Sequence, residues 1–456
     1  MNMKIYNTLT RQKEEFKSIK AGQVSMYTCG PTVYWFAHVG MFRSYVFADV
    51  LKRVLTYNGY KVKQVINITD VGHLTTDEDF GDDKIEKAAL KEGKNVEDIA
   101  KFYFDSFHED FLKVNLIEPF KWVKATLHIK EQIDLIKKLE KKGYTYKTTD
   151  GIYFDTSKDI DYGKLSKKNI EGLEGGKRTD MREKKNKTDF ALWKFSGDES
   201  RLQEWASPWG VGFPGWHLEC SAMATKYLGK NFDIHTGGID LIPIHHENEI
   251  AQSECGYGVK NWVRYWMHGA FLTLDGGKMS KSTGKIKTIS GLEKDGIDPL
   301  AYRYFTFSAH YRKPLTWSED AIKTAVNSYS RLKSLVLKLE DDLKTNEKYL
   351  KSFKEKIDDD LDMPGAVAIL WKLIRDKKAS GKVGTIKRMD EVFGLKLFET
   401  LKIEIPNEIL KLAEERKKVR DKKNWERGDE VRDELEKNGW WIRDIGEDFI
   451  LGKINK

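Results

Sequence analysis

The sequence predicts an α/β fold: a doubly wound parallel sheet split by an insertion, followed by a helical bundle and a small C-terminal module. Two observations support this prediction. Short apolar runs typical of buried parallel strands are separated by stretches long enough for crossover helices. The second half of the chain instead places apolar residues at helical period among lysines and glutamates. The four strand-like runs are residues 24–29, 62–69, 232–235 and 263–268.

The same patterning divides the chain into six predicted segments. The first and third are two halves of the sheet domain, the second is a connective insertion, and the fourth contains a Gly/Lys-rich loop. The fifth is the helical bundle and the sixth is the C-terminal module. In chain order the segments are residues 1–125, 126–205, 206–270, 271–320, 321–406 and 407–456.

Several local elements follow from pattern within these segments. The insertion is predicted to contain a helix over residues 127–142, a strand near residues 151–155 and a loop over residues 172–187. Residues 328–343 are predicted to be helical because apolar positions recur at helical spacing. Residues 439–444 are typical of a short strand in the C-terminal module.

Composition limits the class of protein. The 456 residues carry 79 basic and 71 acidic side chains, a net charge of +8, which suits a polyanionic partner but also fits a highly charged soluble enzyme. Three cysteines are too few for a disulfide framework and fit a reducing compartment. The chain has no membrane-spanning apolar stretch and no signal-peptide pattern, so a cytoplasmic protein is expected.

Four scattered residues form a candidate metal site. His245 and Glu249 are spaced i and i+4, so a helix would point both side chains at one ion. Cys29 ends the first strand-like run, and Cys220 lies near the start of a predicted helix. Two thiols, an imidazole and a carboxylate are an acceptable set of zinc ligands.

Spacing alone leaves two questions about this site open. For ligands so far apart in sequence, ordinary buried thiols and a solvated helix face are favoured by roughly three to one. His246 is an alternative to His245, because residues spaced i and i+3 also share a helix face.

Two further motifs are suited to binding phosphate. His38, Val39 and Gly40 follow the first strand where a helix is expected to begin, so the imidazole and nearby N–H groups would face an anion. Residues 276–284 place Lys278, Ser280, Lys281 and Ser282 in a glycine-flanked loop that can close over phosphates. A solvated charged loop is the plain alternative.

Taken together, these motifs resemble the cysteinyl-tRNA synthetase family of class I aminoacyl-tRNA synthetases, over nearly the whole chain. Lys278 to Ser282 reproduce the KMSKS signature of class I enzymes residue for residue. The resemblance implies a Rossmann-type catalytic domain and a C-terminal anticodon-binding module. The matching stretches are residues 7–16, 27–34, 67–70, 207–210, 214–223, 245–253 and 278–282.

The resemblance implies a role for particular residues. One Zn²⁺ per chain would be held by Cys29, Cys220, His245 and Glu249, which favours His245 over His246. The pocket for L-cysteine would be lined by Gly30, Thr32, Thr69, Trp216 and His235. ATP, with Mg²⁺, would be bound by His38, Gly40, Gly238, Asp240, Lys278, Ser280, Lys281 and Ser282, with His38, Lys278 and Lys281 as the catalytic groups.

The partner implied by the resemblance is tRNA(Cys), and a monomer is expected. The basic run over residues 416–423 and the faces of Trp425, Trp440 and Trp441 support contact with RNA. The residues that align with the family's tRNA-binding pattern are Arg416, Asp429, Arg432, Asp433 and Asp444. A charged helix face with core tryptophans is equally favoured for any one of these residues.

One departure affects the nucleotide site. Class I enzymes usually have a second histidine where this chain has Met41, which cannot donate a hydrogen bond to phosphate. More of the phosphate stabilisation would then fall on His38, on backbone N–H groups and on the lysines. Two alternative functions remain: a zinc-dependent ligase that transfers cysteine to a small amino-sugar, and a tRNA-binding paralogue without catalysis.

Overall fold

The structure is a computed structural model that describes residues 3–71, 84–167, 183–197, 201–274, 277–278, 287–399, 406–445 and 448–453. The strands are β1 Lys4–Asn7, β2 Gln12–Glu15, β3 Gln23–Thr28, β4 Lys61–Ile68, β5 Lys121–Lys124, β6 Thr145–Lys147, β7 Gly151–Phe154, β8 Phe190–Phe195, β9 Gly212–Pro214, β10 Phe232–Gly238, β11 Val263–Gly269, β12 Leu272–Leu274, β13 Gly277–Lys278, β14 Leu315–Trp317, β15 Trp440–Ile445 and β16 Asp448–Lys453. The α-helices are α1 Val39–Tyr57, α2 Lys84–Glu92, α3 Val96–Lys113, α4 Ile129–Lys141, α5 Trp216–Leu228, α6 His245–Tyr257, α7 Ile289–Lys294, α8 Pro299–Thr306, α9 Glu319–Leu337, α10 Glu347–Ile357, α11 Met363–Arg375, α12 Lys382–Phe393, α13 Asn407–Asp421 and α14 Trp425–Lys437.

The centre of the fold is a five-stranded parallel sheet in the order β11-β10-β3-β4-β5. All four predicted strands are in this sheet, which confirms the predicted fold class. The edge strand β5 was not predicted, because its Lys-Trp-Val-Lys sequence buries only Val123 fully. β10 runs to Gly238, three residues beyond the predicted strand.

The insertion has a sheet of its own. Strands β6, β7, β8 and β9 form an antiparallel sheet in that order, and α4 packs beside it. The predicted helix and the predicted strand are confirmed as α4 and β7, whereas most of the predicted loop over residues 172–187 lies outside the described residues. β9 lies beyond residue 205, and the segment limits stay a prediction.

The helix predicted over residues 328–343 exists, but it lies earlier in the chain, at Glu319–Leu337. The observed helix α9 begins after Ser318, whose side chain accepts a hydrogen bond from the Ala321 N–H, and it ends at Leu337. Glu319 and Asp320 stabilise the first turn of α9, because acidic side chains interact favourably with a helix N-terminus. Glu340, Asp341 and Asp342 would lie in the last turn of a helix that continued to residue 343, where negative charge is unfavourable. The apolar period continues through those acidic residues although the helix does not.

A buried carboxylate joins the sheet domain to the helices that follow. Asp49 on α1 accepts hydrogen bonds from Arg53 at 2.7 Å, from Arg303 of α8 at 2.5 Å and from the Ile117 N–H at 2.8 Å. Arg303 is fully buried and also donates to the Phe393 carbonyl at the end of α12. Burial acts to raise the pKa of Asp49, but the charges of Arg303 and Arg53 hold it below its ordinary value.

We expect Asp49→Asn to lower the free energy of unfolding by about 3–5 kcal/mol, because it leaves the buried Arg303 charge without its counter-ion. Since the folded pKa of Asp49 is lowered, its contribution is present above its ordinary pKa of 3.8 and is lost as the pH falls below it. Urea denaturation at pH 7 and at acid pH measures both effects. The control is Asp359→Asn, which removes an exposed ion pair with Lys13. Equal losses from the two variants would contradict this account.

The C-terminal module has its own small core. Helices α13 and α14 pack on the antiparallel hairpin β15-β16, which confirms the predicted strand at residues 439–444. Ile409, Ala413, Val431 and Leu435 are buried against Trp440. Trp440 is therefore not a stacking face for RNA, contrary to the sequence-based expectation. Successive strand residues point to opposite faces, and the exposed side chain is that of Trp441.

Candidate active site

The carboxyl ends of β3 and β10 lie side by side and place the first candidate residues. Cys29 follows β3 directly, and its N–H donates to the Thr236 carbonyl on β10 at 3.1 Å. Gly30 comes next, and its N–H donates to Asn67 Oδ1 at 2.7 Å. In parallel α/β sheets this edge is where ligands bind.

Gly30 is required by the close approach of β4. A Cβ atom at this position would lie 1.6 Å from the Asn67 carbonyl oxygen. We therefore expect Gly30→Ala to push Cys29 away from β4 and to lower metal content as well as stability. Gly59→Ala is the control for a strained glycine replacement away from the site, since Gly59 lies in an exposed turn with a φ of +88° and no described atom would lie within 4 Å of its Cβ. Metal analysis of the two purified variants measures the difference, and equal metal content would contradict the expectation.

The four candidate ligands converge from three elements. Cys29 lies at the end of β3, Cys220 is on α5, and His245 and Glu249 are one turn apart on α6. One ligand atom from each residue lies within 4.8 Å of every other. His245 Nε2 and Glu249 Oε1 are 2.7 Å apart, yet Oε1 accepts no hydrogen bond from any residue that the structure describes. This carboxylate oxygen is fully buried and available to a cation, so the residues present fit a metal ion.

The electrostatics of the group agree with this interpretation. Burial raises the pKa of the Cys29 thiol, and the neighbouring Cys29 thiol, together with burial, raises that of Cys220. Burial acts to raise the pKa of Glu249 as well, but His235 and His245 lower it to about 2. Two thiols beside a carboxylate therefore need a cation before they ionise.

His246 remains close to the same point. A second group of Cys29, His235, His246 and Glu249 also meets the distance required of metal ligands. His246 Nδ1 lies 2.7 Å from His268 Nε2, however, and its Nε2 lies 3.2 Å from Cys29 Sγ. Both ring nitrogens thus have protein partners, but so do those of His245, which lie 2.9 Å from His217 Nδ1 and 2.7 Å from Glu249 Oε1. The first group contains both thiols, which makes it the better zinc set.

The residues predicted to hold the amino acid surround this group. Thr32 and Thr69 are joined by a parallel bridge next to Gly30. Trp216 stacks on His245 with ring centroids 4.3 Å apart. His235 Nε2 lies 2.7 Å from Glu249 Oε2, while its Nδ1 is buried and has no hydrogen-bond partner within the described part of the chain. Their role in binding an amino acid stays a prediction.

The residues predicted to bind the nucleotide lie on several elements. His38 is the N-cap of α1, where its Nδ1 accepts a hydrogen bond from the Met41 N–H at 3.3 Å, and Gly40 lies in the first turn. Gly238 ends β10, and a Cβ atom there would lie 2.3 Å from Asp240 Oδ1. The backbone of Lys278 is in β13, whereas Ser280, Lys281 and Ser282 lie outside the described residues.

Two of the residues predicted to bind tRNA pair with each other. The buried guanidinium of Arg416 donates to both carboxylate oxygens of Asp444, which lowers the pKa of Asp444. Arg416 therefore helps to hold α13 against β15. Asp429, Arg432 and Asp433 are exposed on α14, and their contact with RNA stays a prediction.

Sequence reasoning assigned no role to several residues that support the site. Asn67 binds the Gly30 N–H, and His268 binds both His246 and the Thr8 hydroxyl. Five of the ten histidines gather here, and this clustering at strand and helix ends was a signal available in the sequence. They are His217, His235, His245, His246 and His268.

A family model described as the catalytic domain of class I (C) tRNA synthetases matches residues 15–327. The chain belongs to the cysteinyl family of class I tRNA synthetases. It is therefore an aminoacyl-tRNA synthetase, a family whose substrates are an amino acid, ATP and tRNA. ATP is used with a metal in this family.

Curated relatives agree over nearly the full length. Cysteine–tRNA ligase 1 of Burkholderia lata is 47% identical, covering 98% of this chain and 96% of the relative. The cysteine–tRNA ligase of Treponema denticola is 44% identical and covers 97% and 98% of the two chains. That of Thermococcus gammatolerans is 39% identical over 100% of both.

Solved structures of other class I synthetases share the fold. Methionyl-tRNA synthetase of Mycobacterium tuberculosis bound by methionyl-adenylate has a TM-score of 0.56 at 15% identity, covering 82% of this chain and 88% of that one. A leucyl enzyme of Agrobacterium radiobacter in a ternary complex with tRNA has a TM-score of 0.56 at 11% identity, covering 83% and 84%. Among the described residues, no helix is long and apolar enough to cross a bilayer.

Proposed function

We propose that this synthetase is a cysteine–tRNA ligase: it activates L-cysteine with ATP and transfers it to the 3′ end of tRNA(Cys). The observation that carries the choice of amino acid is the convergence of Cys29, Cys220, His245 and Glu249 beside Trp216. The full-length similarity to cysteine–tRNA ligases supports the same conclusion.

The metal in this proposal is one Zn²⁺ ion, held by those four residues. When bound, it would coordinate the substrate sulfur and stabilise its thiolate, for which a serine hydroxyl is a poor substitute. His235, through its contact with Glu249 Oε2, orients that carboxylate. A pocket that relied on shape alone would separate cysteine from serine by only about 1–3 kcal/mol.

Activation requires that charge on the phosphates be neutralised. The cysteine carboxylate attacks the α-phosphate of ATP and pyrophosphate leaves. His38 at the N-terminus of α1, Lys278 and Lys281 are the proposed groups that stabilise the charge built up on the phosphates, together with Mg²⁺. Gly30, Thr32 and Thr69 shape the pocket beside the metal site.

Transfer requires the tRNA acceptor end. In this step the terminal adenosine hydroxyl attacks the activated carbonyl and AMP leaves, so no covalent intermediate with the protein is needed. Basic side chains of α13 and the exposed ring of Trp425 support the C-terminal module as the anticodon contact. The monomeric state and the cytoplasmic location expected from the sequence stay predictions.

A charging assay separates this proposal from the two alternatives. Purified protein is incubated with ATP, radiolabelled cysteine and either a tRNA(Cys) transcript or a small amino-sugar. We expect label on the tRNA alone. Label on the amino-sugar alone would favour the small-molecule ligase, and activity with neither acceptor would favour the non-catalytic paralogue.

A further inference from the structure

Arg43 on α1 is a buried cation that the proposed chemistry does not use. Its side chain is 4% exposed and forms no ion pair with a carboxylate in the part of the chain that the structure describes. Burial lowers its pKa to about 10. A buried guanidinium needs hydrogen bonds that replace those it makes with water, because removing it from water is costly.

The partners of Arg43 are four backbone carbonyls from two segments. Nη1 donates to Ala270 at 2.9 Å and also to Phe271, just before β12. Nη2 donates to Lys313 at 2.5 Å and to His310 at 3.4 Å, just before β14. One planar side chain on α1 thus holds the residues that precede β12 and those that precede β14.

These two strands belong to the same small sheet as β13, which contains Lys278 of the proposed ATP site. β12 pairs in parallel with β14 and antiparallel with β13, where Thr273 lies opposite Lys278. α1, for its part, begins directly after His38. Arg43 therefore lies five residues from one proposed phosphate-binding group and holds the small sheet that contains another.

The chain is also bound to α1 beyond the signature loop. The Val39 N–H donates to the Lys287 carbonyl at 2.9 Å, and the Tyr302 hydroxyl donates to the Val39 carbonyl at 2.5 Å. The chain is thus attached to the first turns of α1 on both sides of the signature.

We propose that Arg43 is a positioning residue for cysteine activation, which fixes the sheet carrying Lys278 relative to the helix end carrying His38. This inference rests on the proposed function. Lysine cannot replace arginine here, because one ammonium group cannot serve two pairs of carbonyls with the same geometry. A displacement of about 1 Å between reacting groups costs about 100-fold in rate.

The test is Arg43→Lys, with Arg53→Lys as the matched control. Arg53 lies on the same helix and also donates to two carbonyls, of Asn115 and Glu391, but it faces the junction around Asp49.

Cysteine-dependent ATP–pyrophosphate exchange gives kcat and the KM values for cysteine and ATP, and thermal denaturation gives Tm. We expect Arg43→Lys to lower kcat about 30- to 100-fold with the KM for cysteine unchanged. Arg53→Lys should lower Tm comparably and leave kcat close to that of the unaltered protein.

Equal losses of kcat in the two variants, or no loss in Arg43→Lys, would overturn the proposal. If Arg43→Lys does not fold, Tyr302→Phe decides, because it removes one hydroxyl from the same junction. It should lower kcat about fivefold to tenfold with the KM for cysteine unchanged, and an unchanged kcat would overturn the proposal. Absence of exchange in the unaltered protein would instead contradict the proposed function.

Discussion

Replacing Cys220 with serine is expected to abolish cysteine activation while tRNA binding persists. Cys220 on α5 supplies one of two sulfur donors in a group completed by Cys29 after β3 and by two residues of α6, all distant in sequence from the C-terminal module. A serine hydroxyl is smaller, stays protonated and is a poor zinc ligand. We expect cysteine-dependent exchange to fall by more than about 100-fold, the upper range for loss of an outer-shell partner of a metal.

The third thiol provides the control for this substitution. Cys255 is half-buried near Tyr144, and it belongs to neither group of candidate metal ligands found among the described residues. Cys255→Ser should retain metal, exchange activity and tRNA affinity. Exchange that survives in metal-free Cys220→Ser would refute the role of the metal in selecting the amino acid.

Deleting residues 407–456 is expected to have the opposite effect: cysteine activation persists, but tRNA affinity and charging are lost. Among the described residues, the hydrophobic core of the module draws all its members from this segment, so the deletion should leave the other cores intact. If the module contacts tRNA as proposed, loss of its phosphate contacts and of stacking on Trp425 should weaken tRNA binding by about 100-fold or more. Filter binding and exchange, measured on the same preparation, separate the two activities.

A smaller change within the module distinguishes RNA contact from structural support. Trp425 is 55% exposed and lies beneath Arg420, whereas Trp440 is buried in the module core. Trp425→Ala should weaken tRNA binding without unfolding the module, and Trp440→Ala should unfold it. Unchanged tRNA affinity in the deletion variant would contradict the assignment of the module to the tRNA.

The central sheet was predictable because its signals are local. Residues 62–69 and 263–268 are short runs rich in apolar residues, as expected for buried parallel strands. Cys29, Cys220, His245 and Glu249 were candidates from sequence because two of them share a helix turn, but spacing alone favoured ordinary buried thiols, and the family resemblance decided the set. Only the structure brings all four within 4.8 Å.

Other features depend on tertiary contacts and leave little local signal. β5 has two lysines in four residues and is a strand because β4 pairs with it. The end of α9 was missed because apolar period continued past an acidic run that stops the helix. The carbonyl contacts of Arg43 join residues more than two hundred positions apart, which no pattern in a single sequence indicates.

The most direct test of the account is ATP–pyrophosphate exchange with cysteine and with serine, before and after the metal is removed by chelation. With stoichiometric Zn²⁺ restored, we predict exchange that depends on cysteine and is negligible with serine. The chelated protein should lose exchange with cysteine and regain it when Zn²⁺ is added back. Exchange with cysteine that is equally fast in metal-free protein would contradict the claim that the Cys29–Cys220–His245–Glu249 group selects the amino acid through a metal.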